Sequence, residues 1–543
     1  MNHLVVCLIL DTMNPIMLNR IIFIKEPELI FGYNQRTCDP RDGLVLFGPY
    51  EKWGEKYQYN AYSISAGVIG TTRELEKYKR FVEEIRKPIV STKRNKSGLI
   101  VSNETQRPSF PGFEAIFNIH WPENPDVFVE IKPIEIEYIF SQNKNRRIRT
   151  SKLVDLYLEK IIEVNKGVDT RVNIWFILVP KKIFENCRSK KGFGTDFSQS
   201  TIDFLKSKEQ GQYSMFSETE MYGEELSQFI DTSSDFHHLL KARANQERID
   251  APLQIIVEPK LEFRDIDSNI PYGADMKAFM SWSISTTIYY KLGKKPWKLA
   301  DIREGVCYLG LVFKKFQSKS NRNMVCSAAQ LFLSDGDGTV FRGNNGLWIG
   351  DNPNEHHLDR EESFNLLSLA LKDYFDNNNE TLPKELFIHG RAKFSDDEWY
   401  GFLDAIKKYN SSTKIIGVVI KDEAPLKLFR EVENAKANFG VMRGIAVIIE
   451  KDEAYLFTRG FIPRLNTSTT LEIPNPLHVK ITRGEANIET VLEDIMKLTK
   501  LNYNTCIYGD GKPVTLRFSD TIGSILTATD NWKEERRQFQ FYI

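Results

Sequence analysis

The pattern that most narrows what this chain can fold into is a helix-spaced segment closely followed by an unbroken apolar run. LVDLYLEKIIEV (153–164) places its apolar residues at helical spacing, and NIWFILVP (173–180) is apolar almost throughout. An unbroken apolar run is what a strand buried on both faces looks like, and strands are buried that way when helices cover both faces of a parallel sheet. The same alternation begins earlier, where IIFI, GLVLFG and SAGVIGT are expected to be β-rich and ELEKYKRFVEEIRK helical. The fold class expected is therefore α/β.

At 543 residues the chain exceeds the roughly 250 to 300 at which single cores stop growing, so two domains are expected. A polar stretch from Ser189 to Asp231 interrupts the pattern, and helical periodicity returns over Asp235–Glu247 and Met276–Leu292, so the first domain is taken to end near Pro296. The second domain, 297–543, opens with VCYLGLVFKK and AAQLFLSDGDGTVFRG, two strand segments with turn chemistry at Asp335, Gly336, Asp337 and Gly338. The helix FNLLSLALKDYF, the strand ELFIHG, the helix DDEWYGFLDAIKK and the strand KIIGVVI follow, an order compatible with an RNase H-like core but shared by other α/β folds. A regular pattern begins only near Ile21, so residues 1–16 are expected to be a disordered extension, with Met17 as an alternative start.

Lys plus Arg and Asp plus Glu each number 73, so any nucleic-acid site must come from local segregation of charge. The apolar run Leu4–Leu10 is far shorter than the roughly 20 residues that span a bilayer, and no Lys or Arg precedes it. The six cysteines form no CxxC pair, as expected of reduced thiols in a cytoplasmic protein.

In DFHHLLKARANQ, His237 and Lys241 lie four apart and share a helical face. Gln254 in the strand segment LQIIV and Lys291 at the end of a later helix complete a set of donors able to hold a terminal phosphate. By spacing alone, His237 reads more readily as an ordinary surface or core histidine and Lys241 as a solvated lysine.

Taken with the rest of the chain, these residues gain a context. PELIFGYNQRTCDPRDGLVLFGPY, SAGVIGT, FPGFEAIF, WFILVPKKIFENCR, DFHHLLKAR, YYKLGKKPWKLADIREGVCYLGLVFKK, ELFIHGRAKFSDDEW and IPNPLHV, in that order, resemble segments of short prokaryotic Argonautes from about Ile21 to Ile543. The resemblance implies a Rossmann-like MID domain over 17–296 and an RNase H-like PIWI domain over 297–543. It also implies a guide 5′-phosphate held by His237, Lys241, Gln254 and Lys291, with a Mg2+ ion and the C-terminal carboxylate at Ile543 sharing the pocket.

Two-metal phosphodiester cleavage needs several carboxylates converging on ions about 4 Å apart. Where active PIWI domains carry two of these, the resemblance places Val312 in LGLV and Gly390–Arg391 in IHGR; only Asp520 in RFSD falls where a last metal ligand often sits. A chain without cleavage activity is expected. Lys421, Lys427, Arg430, Arg443, Arg464 and Arg517 are expected to line a duplex channel through phosphate contacts.

A sensor without chemistry needs an output. The nearest resemblance is to the Argonaute subunit of SPARTA-type systems, which implies a guide RNA, a complementary single-stranded DNA target and a TIR-APAZ partner. That partner hydrolyses NAD in defence against plasmids or phage, as heterodimers that assemble on activation, to a tetramer of heterodimers. A sirtuin-like or nuclease effector in place of TIR, or a residual nuclease using Asp520 and Glu398, are the alternatives.

Overall fold

The computed structural model describes residues 20–52, 63–94, 100–102, 108–167, 172–188, 235–301, 303–315, 324–333, 338–347, 356–409, 412–422, 426–430, 441–463, 467–468, 473–529 and 536–543, together with Leu4–Val5. Two sheets organise these residues. The first is four-stranded, in the order Leu253–Val257, Ile174–Val179, Ala66–Gly70, Val127–Glu130, and every neighbouring pair is parallel. Ile174–Val179 is buried along its whole length. Tyr78 and Phe81 of the helix Thr72–Arg86 join its core from one side and Leu153 and Tyr157 of the helix Arg146–Gly167 also enter it, which is why the run NIWFILVP carries no polar alternation.

The second sheet is ten-stranded and mixed. Its centre runs Leu477–Arg483, Lys414–Lys421, Glu385–Gly390, Val306–Lys315, Met324–Leu333 and Gly338–Leu347. The last three form an antiparallel meander, while Val306–Lys315, Glu385–Gly390 and Lys414–Lys421 pair in parallel. The helices Arg360–Asn377 and Asp396–Lys408 cover one face, onto which Cys307, Leu309 and Leu311 point. On the opposite face, where Tyr308 and Val312 point, Gly310 lets the main chain of Thr515 approach so closely that a Cβ would lie 2.0 Å from its oxygen. The turn residues Asp335 to Asp337 lie outside the described residues.

Two segments depart from the linear reading. GLVLFG, expected as a strand, is the end of the helix Pro40–Phe47. Asp39 caps it by accepting from the Arg41 N–H, Pro40 occupies the first turn, and Gly48 closes it at a φ of 72°. These end signals outweigh the apolar content of a short run. The second departure is the strand Arg20–Phe23, which pairs antiparallel with Ile445–Glu450 at the edge of the ten-stranded sheet, so the two sheets do not divide at Pro296 alone. Of residues 1–16, Leu4 and Val5 are described, paired with Arg430 and Phe429.

Candidate functional site

The helix Phe236–Gln246 begins at Asp235, whose carboxylate accepts from the His238 N–H at 3.2 Å. It packs against the helix Arg146–Gly167 on one side and Ser519–Leu526 on another, so it is held by elements of both sheets. This fixes Lys241, 3% exposed, pointing inward. Its ammonium donates to the main-chain oxygens of Ile543 at 2.5 Å and Tyr542 at 3.0 Å. Lys291 is equally buried at the C-terminal end of the helix Ala274–Lys291, where a cation suits the helix dipole. It donates to Gln254 Oε1 and to the Leu253 carbonyl, both at 2.9 Å.

His237, half-buried, completes the group. Burial holds its imidazole well below the usual histidine range, and the charges of Lys241, His238 and Lys291 press it further down. Burial also lowers Lys241, to about 7, and lowers Lys291 well below the ordinary lysine range, with Lys241 adding to the effect. The structure thus brings His237, Lys241, Gln254, Lys291 and Ile543 together, five residues drawn from a helix end, a strand, a second helix end and the last residue of the sequence. The contribution of the Tyr542 and Leu253 carbonyls carried no signal in the sequence, because any residue type offers a carbonyl.

The chemistry follows from what the pocket lacks. The hydrogen bonds described for Lys241 and Lys291 end on main-chain oxygens, that of Ile543 among them, and on the Gln254 amide, and neither lysine has an ion pair with an acidic side chain among the described residues. Burying two amines side by side is costly, and both are held below the ordinary lysine range as a result. An anion with several acceptor oxygens relieves that cost.

A second cavity, of about 120 Å³, lies at the end of the strand Glu385–Gly390 and is lined by Leu311, Phe313, His356, His357, Arg391, Glu398 and Asp520, among others. Val312 does not line it. Strand alternation turns Val312, 1% exposed, to the opposite face, beneath Gly523, and presents Leu311 and Phe313 in its place. Arg391 pairs with Asp520 at 3.4 Å, both of them largely exposed. Glu398 is buried and fully engaged: it accepts from the main-chain N–H groups of Leu358 at 2.9 Å and Ser395 at 2.8 Å and meets His357 Nδ1 at 3.0 Å. His356 and His357 had no part in the sequence reading of this cavity. Behind it, burial lowers His389 to about 3, where its Nδ1 meets Thr515 Oγ1 at 2.9 Å.

The chain has an Argonaute fold. Its structure superposes on Clostridium butyricum Argonaute bound to a guide DNA and a 19-mer target DNA with a TM-score of 0.56 at 16% identity, covering 96% of this chain and 55% of that one. Drosophila Piwi matches with a TM-score of 0.56 at 12% identity over 96% and 56% of the two chains. Aquifex aeolicus Argonaute matches at 0.52 and 13% over 96% and 55%. The chain therefore spans little more than half the length of these Argonaute structures. No protein-family model and no curated protein matches the sequence.

The basic residues expected to line a channel have mixed fates. Arg443 is buried, bonded to Glu26 at 3.0 Å, to Thr499 at 2.6 Å and to the Asp510 carbonyl at 3.2 Å, so it is a core strut and not a channel residue. Arg517 is tied to Asp510 at 2.8 Å and Lys427 to Asn475, while Lys421 is exposed. Arg464 and the side chain of Arg430 lie outside the described residues. No helix among the described residues is long and apolar enough to cross a membrane.

Proposed function

We propose that this chain binds the 5′-phosphate of a guide RNA through His237, Lys241, Gln254 and Lys291 and presents the guide to complementary single-stranded DNA without cutting it. The observation that carries this reading is the pair of buried lysines with no acidic side-chain partner. A terminal phosphate supplies the missing anion, and charge-assisted bonds in a dry site are the strong kind. The Argonaute fold, and the guide and target carried by the Clostridium butyricum structure, agree with a nucleic-acid ligand.

A Mg2+ ion fits this pocket only together with the phosphate, because two ammonium groups repel a lone cation while phosphate oxygens and an oxygen of Ile543 are the hard ligands magnesium takes. Its chemistry there would be charge neutralisation between those oxygens. Absence of cleavage rests on the second cavity, where Leu311 and Phe313 offer no ligand, Glu398 is consumed by its caps and Arg391 supplies a cation beside Asp520.

The output we propose is activation of a partner carrying an APAZ region and a TIR domain that hydrolyses NAD, in defence against plasmids or phage. Expression of the chain with the product of the neighbouring gene, followed by extraction of bound nucleic acid, tests the first half. We expect short 5′-phosphorylated RNA from the unmodified chain and none from a His237→Ala, Lys241→Ala double variant; equal RNA in both would refute the pocket. Loss of NAD on adding complementary DNA tests the second half, and a partner with nuclease or sirtuin-like activity would redirect it.

A further inference from the structure

The start of the helix Phe236–Gln246 carries a second set of groups, two of which the phosphate reading leaves unused. Asp235, His237 and His238 each offer one ligand atom, and these atoms lie within 4.8 Å of one another. Asp235 Oδ1 and His238 Nδ1 are 3.5 Å apart, close to the edge of about 3.3 Å that bonds of about 2.0 Å make in a tetrahedral zinc site. We propose that Asp235, His237 and His238 bind a divalent transition metal, with zinc the best fit.

Three features support the ligand class. Two imidazoles and one carboxylate suit zinc, cobalt or nickel, whereas magnesium prefers an all-oxygen shell. All three residues line a cavity of about 270 Å³, together with Val179, Phe184, Cys187, Arg188 and Ile255, so there is room for a fourth ligand, as in sites with three protein ligands. The helix N-terminus disfavours a cation, and the Asp235 carboxylate at the cap opposes that field.

His237 is shared with the phosphate pocket, but a ring that binds metal through one nitrogen keeps an N–H on the other, so the two ligands can coexist. Asp235 and His238 belong to the metal set alone, which separates the two readings experimentally.

The full-length chain, stripped with chelator and kept reduced, is titrated with Co2+ and then Zn2+ by absorption spectroscopy and calorimetry, beside His238→Ala and Asp235→Asn. Asparagine retains the cap oxygen, so the second variant keeps the helix start while losing the charged ligand. We expect one equivalent of Co2+ with the visible bands of a four-coordinate nitrogen and oxygen site, displaced by Zn2+, and affinity lower by about tenfold or more in each variant. Absence of binding, unchanged affinity in both variants, or a thiolate-to-cobalt charge-transfer band placing the ion on cysteines would each overturn the proposal. Guide retention by both variants, measured in parallel, shows that loss of metal is not loss of the phosphate pocket.

Discussion

The pocket proposed for phosphate and the cavity beside the strand Glu385–Gly390 are both lined with ionisable groups, yet they are opposite in kind. In the pocket, Lys241 and Lys291 are buried and bond to main-chain and amide oxygens, with no acidic side chain paired to either among the described residues. In the cavity, both carboxylates and Arg391 have internal partners: Arg391 with Asp520, and Glu398 with His357 and two backbone donors. A charge that folding leaves uncompensated waits for a ligand, and a charge that folding compensates has become part of the scaffold.

The sharpest way to break this contrast is to replace Lys241 with methionine. Guide affinity should fall by about a hundredfold or more, since a buried charge-assisted contact is lost. The free chain should melt higher, because a desolvated cation gives way to an apolar side chain. A lower melting temperature without guide would show that the lysine is already satisfied by its carbonyls. In the other region, Glu398→Gln should cost about 1 to 3 kcal/mol in denaturant unfolding, because a buried carboxylate that accepts from Leu358, Ser395 and His357 loses acceptor strength.

The pH dependence sharpens the contrast further. Lys241 titrates near 7 in the folded chain and at its ordinary value of 10.5 when unfolded, so between those limits the unfolded state holds more protons. Stability of the guide-free chain should therefore rise with pH from about 7 to 10 as the penalty of protonating the buried amine is removed. Guide binding runs the other way: the phosphate needs the protonated amine, so affinity should fall by up to about tenfold per unit between pH 7 and 9, read by filter binding. The Met variant should flatten both profiles.

The smallest effects belong to the exposed pair. Arg391→Ala should change stability by less than about 1 kcal/mol, because both partners face solvent. Arg391→Asp should yield no magnesium-dependent cut in guide-paired DNA, since the neighbouring positions are Leu311 and Phe313. Cleavage by that variant would show that the cavity is one residue from activity.

The sequence by itself determined the alternation of helices and apolar strands, because local periodicity reports local burial; the opening of the second sheet read as a two-strand hairpin where the structure has a three-stranded meander. The quartet that we propose holds phosphate was named from the resemblance to Argonautes, since spacing alone showed only that His237 and Lys241 share a helix face. The helix Pro40–Phe47 was misread because a short apolar run has no period of its own, and its caps decided the matter. Only the tertiary structure decided that Arg20–Phe23 closes the edge of the far sheet, that Arg443 is a strut, and that Leu311 faces the cavity in place of Val312. It alone decided that Lys241 and Lys291 are buried without an acidic side-chain partner among the described residues, because whether a lysine is solvated or buried depends on what packs around it, and those neighbours come from distant parts of the chain.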